Sequence, residues 1–303
     1  MQGGGLRSVI GCAIIKVMKI QRNTIWLLLF SLLLAALSGC GLMQPEETAD
    51  PHAGMIEVNT GGGSAWVYPW DGAAVSDLTE DQFSVGEDGG VTYTGTSYRA
   101  EQGVDVSYFQ GEIDWESVAA SGISFAYIRA GFRGYISGEI CVDERFGENA
   151  AAARAAGLEV GLYFFSQSVT PEEAAEEAQG LLDAAAAYDV TLPLAYDWEP
   201  DPGAGEAART DGMYGAEITA CAAAFCETIR EAGREPAVYA SRWQGYYDFD
   251  LSQLADAALW ISAPGDWDDF YYAHAIWQYS CSGTVPGIEG IVDRDLRYLP
   301  ITA

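Results

Sequence analysis

Two acids one residue apart, Asp197 and Glu199, close the apolar stretch Leu192-Pro193-Leu194-Ala195-Tyr196-Asp197-Trp198-Glu199-Pro200. Carboxyl groups in such a pair suit the cutting of a glycosidic bond, where one group gives up a proton and another bears charge or orders the substrate. The stretch reads as a buried strand bounded by prolines. Side chains alternate along a strand, so Ala195, Asp197 and Glu199 share one face and Leu194, Tyr196 and Trp198 the other. The large apolar set suits packing against helices, and the small acidic set a barrel interior or crevice. At about 3.3 Å of rise per residue the two acids stand about 7 Å apart along the strand. The plainer reading is a solvated strand end carrying ordinary surface acids. The remaining elements decide between the two.

Strand-like runs fall at 103–107, 125–131, 159–166, 192–199, 236–241, 258–263, 275–280 and 291–295. Helical stretches separate the first five. Thr170-Pro171-Glu172-Glu173 supplies an N-cap, a proline at the first helical position and a capping glutamate, opening a helix to about Tyr188. Ile218, Ala222, Phe225 and Ile229 form an apolar stripe on the next long helix, which Gly233 ends. Five β-α alternations followed by three strands predict a parallel barrel related to the eightfold β/α fold, with chemistry at the C-terminal strand ends.

The strand ends then read together. They carry Asp105; Tyr127 and Arg129; Tyr163; Asp197 and Glu199; Tyr239; Trp260; Gln278; and Asp293 with Asp295. Aromatic faces stack on sugar rings and carboxylates cut glycosides, so a barrel would gather a glycan-cleaving mouth from separate strands.

Gly103-Val104-Asp105-Val106-Ser107-Tyr108-Phe109-Gln110-Gly111, Tyr127-Ile128-Arg129-Ala130-Gly131, Gly161-Leu162-Tyr163-Phe164-Phe165-Ser166-Gln167, Asp197-Trp198-Glu199, Trp277-Gln278-Tyr279-Ser280 and Val292-Asp293 resemble the glycoside hydrolase family 25 lysozymes, the Chalaropsis-type N-acetylmuramidases. The motifs run in the family's order from residue 101 to the end. The resemblance implies a modified TIM-type α/β barrel, (β/α)5(β)3. It also implies hydrolysis of the β-1,4 bond between N-acetylmuramic acid and N-acetylglucosamine in peptidoglycan. Its acidic quartet falls on Asp105, Asp197, Glu199 and Asp293, with Glu199 as proton donor. The resemblance further implies that Asp197 orients or stabilises the substrate's 2-acetamido group and that Asp105 and Asp293 flank the groove.

Four carboxyls at one mouth cannot all ionise cheaply, so at least one ionises late, and Glu199, nearest the strand's exit, is the candidate acid. A carboxylate nucleophile and attack by the substrate's own acetamido oxygen both stay open, the second favoured by analogy. Where the family commonly has asparagine, two residues beyond Asp293 and on the same strand face, this chain has Asp295; its charge either delays ionisation of the acid further or is solvated, the second being the expectation. Tyr127, Arg129, Tyr163, Tyr239, Trp260 and Gln278 are expected to bind substrate, the alternative for the inward aromatics being layered barrel core, whereas Trp115, Trp198 and Trp243 read as packing residues.

The N-terminal stretch is not read as part of the fold. Lys19 and Arg22 precede an apolar run over 25–37, and Leu37-Ser38-Gly39-Cys40 resembles a bacterial lipobox. The expectation is a signal peptide over 1–39, starting at Met1 or at Met18, and a lipidated Cys40. A flexible tether follows over 40–65, then a small β extension over 66–100 with a hairpin at Asp88-Gly89, then the barrel over 101–303. Four of the fifteen basic residues lie in the leader, which leaves eleven arginines against 44 acids. So acidic a chain repels nucleic acid and anionic membrane, leaving glycan strands as partner and a lipid anchor as the only membrane attachment, on the outer face of the bacterial cytoplasmic membrane. Cys141, Cys221, Cys226 and Cys281 allow three pairings, of which only a Cys221–Cys226 bridge is disfavoured by helical spacing. No metal or cofactor motif is present, His274 reads as structural, and a monomer is expected. Alternatives are a non-catalytic wall-glycan-binding lipoprotein, or a hydrolase of another acetamido glycan such as chitin.

Overall fold

Eight strands close on themselves to make the frame that carries the acids. The computed structural model describes residues 50–200 and 208–301. Of the two units into which the chain divides, Met1–Ala53 and Gly54–Ala303, the second holds every element below. The predicted leader and Cys40 lie outside the described residues.

Two hairpins come first. β1 (Ile56–Asn59) pairs with β2 (Ser64–Val67), and β3 (Phe83–Val85) with β4 (Val91–Tyr93), the latter around Gly89 at φ +74°. The first hairpin differs from the expected tether over 40–65, because Val58 and Val67 are buried and give this short segment a side to pack. The extension rests on the barrel through the Phe83 ring, edge-on to Trp277 at 5.5 Å.

The barrel strands are β5 (Tyr98–Val106), β6 (Ile123–Arg133), β8 (Glu159–Ser166), β9 (Leu194–Trp198), β10 (Pro236–Ser241), β11 (Ala258–Ser262), β12 (Ile276–Gly283) and β13 (Val292–Pro300). A short β7 (Ile140–Val142) pairs antiparallel with the end of β6. Five helices follow the first five barrel strands: α1 (Trp115–Ala120), α2 (Phe146–Ala155), α3 (Pro171–Ala186), α4 (Gly215–Glu231) and α5 (Arg242–Tyr247). The start of α3 is built as its sequence requires: the Thr170 hydroxyl accepts the Glu173 N–H, and the Glu173 carboxylate accepts the Val169 N–H. On α4 the stripe Ile218, Ala222, Phe225 and Ile229 is buried.

β5 pairs with both β6 and β13, which closes the barrel. The expectation of an all-parallel barrel fails at the last strand, since β13 runs antiparallel to β12 and β5. Hydrophobic alternation is the same read in either direction, so nothing in the pattern distinguished the two. The reversal matters to the chemistry. β13 enters where the parallel strands finish, so Asp293, its second residue, lies opposite Asp105 near the end of β5.

The interior holds its own core, including Phe125, Tyr127, Ala195, Ala237, Trp260 and Ile276, while Leu194, Tyr196 and Trp198 face the helix layer. Small residues make room for rings. A Cβ on Gly103 would stand 2.2 Å from the Phe125 ring, and one on Gly161 would stand 2.5 Å from Tyr127.

Candidate active site

Asp105, Asp197, Glu199 and Asp293 line a single cleft of about 200 Å³ at the end of the barrel where the parallel strands finish. Arg129, Tyr163, Tyr239, Trp260 and Gln278 line it as well. Tyr127 does not. It lies two residues deeper on β6, fully buried, its ring 4.5 Å from Trp260 and its hydroxyl donating to the Pro193 carbonyl at 3.2 Å. Depth along a strand, which alternation does not encode, separates Tyr127 from Arg129. The cleft is below the ~300–1,000 Å³ of sites that swallow a small molecule whole.

The acids form two groups. Asp197 and Glu199 interact directly, each altering the other's ionisation. Burial raises the pH at which Asp197 ionises, the Glu199 charge raises it further, and Arg129 opposes both. Burial likewise raises Glu199, with Asp293 adding to the effect and the bond from Asp197 opposing it. The pair therefore holds a proton as a unit where separate carboxyls would have lost theirs.

The second group is Asp293, Asp105 and Asp295. Burial pushes Asp293 up to about 6 against a hydrogen bond with Asp105. Asp105 ionises well above the usual carboxylate range because it is buried and because Asp295 and Asp293 both repel its charge. The expectation of a solvated Asp295 is overturned: the residue is 0% exposed, inside the barrel. Its inward position follows from the shared face with Asp293, and two residues further along β13 no water reaches it.

Hydrogen bonds brace the wall. The Tyr239 hydroxyl donates to Gln278 Oε1 at 3.1 Å, Gln278 Nε2 donates to Asp105 Oδ2 at 2.7 Å, and Trp260 Nε1 donates to Asp295 Oδ1 at 2.9 Å. Tyr163 and Tyr239 are held neutral by burial, then by neighbouring carboxylates.

Several contributors escaped the sequence reading. Arg129 is fixed by Asp143, whose Oδ2 accepts Nε at 2.9 Å, and its guanidinium stands 5.1 and 5.4 Å from the mutually stacked rings of Tyr108 and Phe109. Asp143 sits between β7 and α2 in a stretch with no periodicity to flag it. Two buried glutamines hold the backbone that presents the acid pair. Gln167 Nε2 donates to the Glu199 carbonyl at 2.9 Å, and Gln244 Nε2 donates to the Trp198 carbonyl. Gln167 stood in a motif already noted, without a role. Trp115 and Trp198 are buried as expected, but Trp243 is 55% exposed, stacked on Tyr247 at 4.2 Å. On the single-turn α5 its side faces solvent.

His274 is structural, between the Asp268 carboxylate at 2.7 Å and the Tyr272 carbonyl at 2.9 Å. The four cysteines among the described residues are free. No group of His, Cys, Asp and Glu among the described residues is arranged to hold a metal, and none of their helices is long and apolar enough to cross a membrane.

The family model "Glycosyl hydrolases family 25" matches residues 104–288. Lysozyme M1 of Streptomyces globisporus is 28% identical over 220 residues, 64% of this chain and 66% of the relative. The autolytic lysozyme of Clostridium acetobutylicum is 27% identical over 201 residues, 64% of this chain and 55% of the relative. The chain thus spans between about half and two thirds of the curated relatives it matches. The crystal structure of the bacterial lysozyme from Streptomyces coelicolor superposes with a TM-score of 0.51 at 27% identity, over 64% of this chain and 90% of that one.

Proposed function

This chain belongs to glycosyl hydrolases family 25, and from that premise we propose that it is a peptidoglycan muramidase. It would cleave the β-1,4 bond between N-acetylmuramic acid and N-acetylglucosamine. The observation that carries the reading is the convergence of Asp105, Asp197, Glu199 and Asp293 on one cleft, floored by Trp260 and walled by Tyr163 and Tyr239. The names of the relatives, lysozyme and autolytic lysozyme, support the substrate.

Glu199, half-buried at the strand's exit, is the group nearest solvent in the acid pair and gives its proton to the departing glycosidic oxygen. Asp197 stays behind it. Its Oδ1 has no partner among the described residues, and in the complex it accepts the substrate's acetamido N–H. That orients the acetamido carbonyl oxygen to attack C1 as the C1–O bond breaks. Water then attacks C1, breaking its bond to the acetamido oxygen and losing a proton to Glu199. The acetamido course needs no second carboxyl as nucleophile, which suits a pair as closely coupled as Asp197 and Glu199.

The acidity of the chain and the lipobox-like Leu37-Ser38-Gly39-Cys40 support action outside the cytoplasmic membrane with Cys40 as lipid anchor. The test is Glu199→Gln on purified sacculi. Release of reducing ends should fall by about 10²–10⁴-fold with an unchanged circular dichroism spectrum. Undiminished release would remove Glu199 from the reaction, and product masses from sacculi and chitin oligomers identify the bond cut.

A further inference from the structure

Asp295 underlies the cleft and has no part in the reaction above. Its Oδ1 takes the Trp260 indole N–H at 2.9 Å, and its Oδ2 is buried without a partner among the described residues. From β5 it faces Asp105, within hydrogen-bonding reach, and on its own strand Asp293. From β6 it faces the Tyr127 hydroxyl, and from β12 its register partner is Gln278, with Tyr279 and Cys281 further along that strand. No cation among the described residues answers it. Arg294 is committed to Asp88, and Arg297 to Glu101 and Glu159.

Two adjoining carboxyls in a dry interior cannot both ionise cheaply, and a buried oxygen without a donor is costly. One proton removes both costs. We propose that Asp295 is a positioning residue that works as a neutral acid: it accepts from Trp260, donates its carboxyl proton to Asp105, and so holds Asp105 and Gln278 in the cleft wall. The bonds then form one chain from the cleft floor to its acid wall, Trp260 to Asp295 to Asp105, with Gln278 and Tyr239 arriving from the other side. Burial, against the bond from Trp260, pushes Asp295 up to about 8. An amide at this position would make the same two contacts at every pH, whereas a carboxyl makes them only while protonated.

The activity arm of the test rests on the muramidase reading; the spectroscopic arm does not. Infrared difference spectra of wild type minus Asp295→Asn at pH 6 should contain the C=O band of a protonated carboxylic acid. The band should leave the wild-type spectrum as pH passes about 8. On sacculi, wild-type kcat should fall about tenfold between pH 7 and pH 9, one unit above that value. Asp295→Asn should hold its rate over the same interval, with KM little changed in both. An absent band, or the same alkaline fall in both proteins, overturns the proposal. A wild type that shows the band yet releases no reducing ends overturns the muramidase reading alone.

Discussion

Replacing Asp293 by asparagine should make the protein more stable at neutral pH and leave it almost unchanged in acid. In the fold this carboxyl ionises at about 6, against an ordinary 3.8. Below 3.8 both folded and unfolded chains hold the proton, and the group does not affect the balance. Between 3.8 and about 6 the unfolded chain releases the proton and the folded one keeps it, so stability falls as pH rises. Above 6 the loss is complete. A gap of about two pH units corresponds to ~3 kcal/mol, and the bond to Asp105 that asparagine can keep leaves ~2–3 kcal/mol as the expected gain at pH 7.5. At pH 4.5 the gain should be under ~1 kcal/mol. Urea unfolding of the two proteins at pH 4.5, 6 and 7.5 measures it, with the m-value expected to stay constant. A gain equal at all three values would mean a packing effect, and no gain at pH 7.5 would refute the account of the acid cluster as a site held against its own charge. Reduced release from sacculi should accompany the stabilisation.

Gln167→Ala should lower kcat about ten- to a hundredfold with KM within about twofold, since it frees the Glu199 carbonyl without touching the sugar. Thr210→Val, which removes the hydroxyl holding Gln167 Oε1, should act in the same direction more weakly, as steady-state kinetics on sacculi would reveal. Asp143→Ala leaves the Arg129 guanidinium buried and unpaired and should cost ~3–5 kcal/mol in urea unfolding. The Arg129→Met, Asp143→Leu double variant should recover most of that stability while staying inactive.

What the sequence disclosed follows from what alternation encodes. It assigns sides, so Asp197 and Glu199 point inward and Tyr196 and Trp198 outward, as found. It says nothing of direction, which is why the reversal of β13 went unseen although Asp293 itself was identified. Nor does it say depth: Tyr127 and Arg129 share a face, yet only Arg129 reaches the cleft. The same blindness made Asp295 look like a surface charge. Residues that act through others, such as Asp143 on Arg129 or Gln244 on the Trp198 carbonyl, lie in turns and caps far along the chain, where the contact exists only after folding.

The antiparallel closing strand also sets when the acid cluster is complete. Asp105 comes from the first barrel strand and Asp293 from the last, and they meet only when β13 slides between β12 and β5. Contacts between such distant stretches form late, after the chain has met the entropy of closing the intervening loop. A half-made or half-folded copy consequently has an open seam where its fourth acid belongs. The cluster is complete only once β13 is in place, so the topology ties assembly of the site to closure of the barrel.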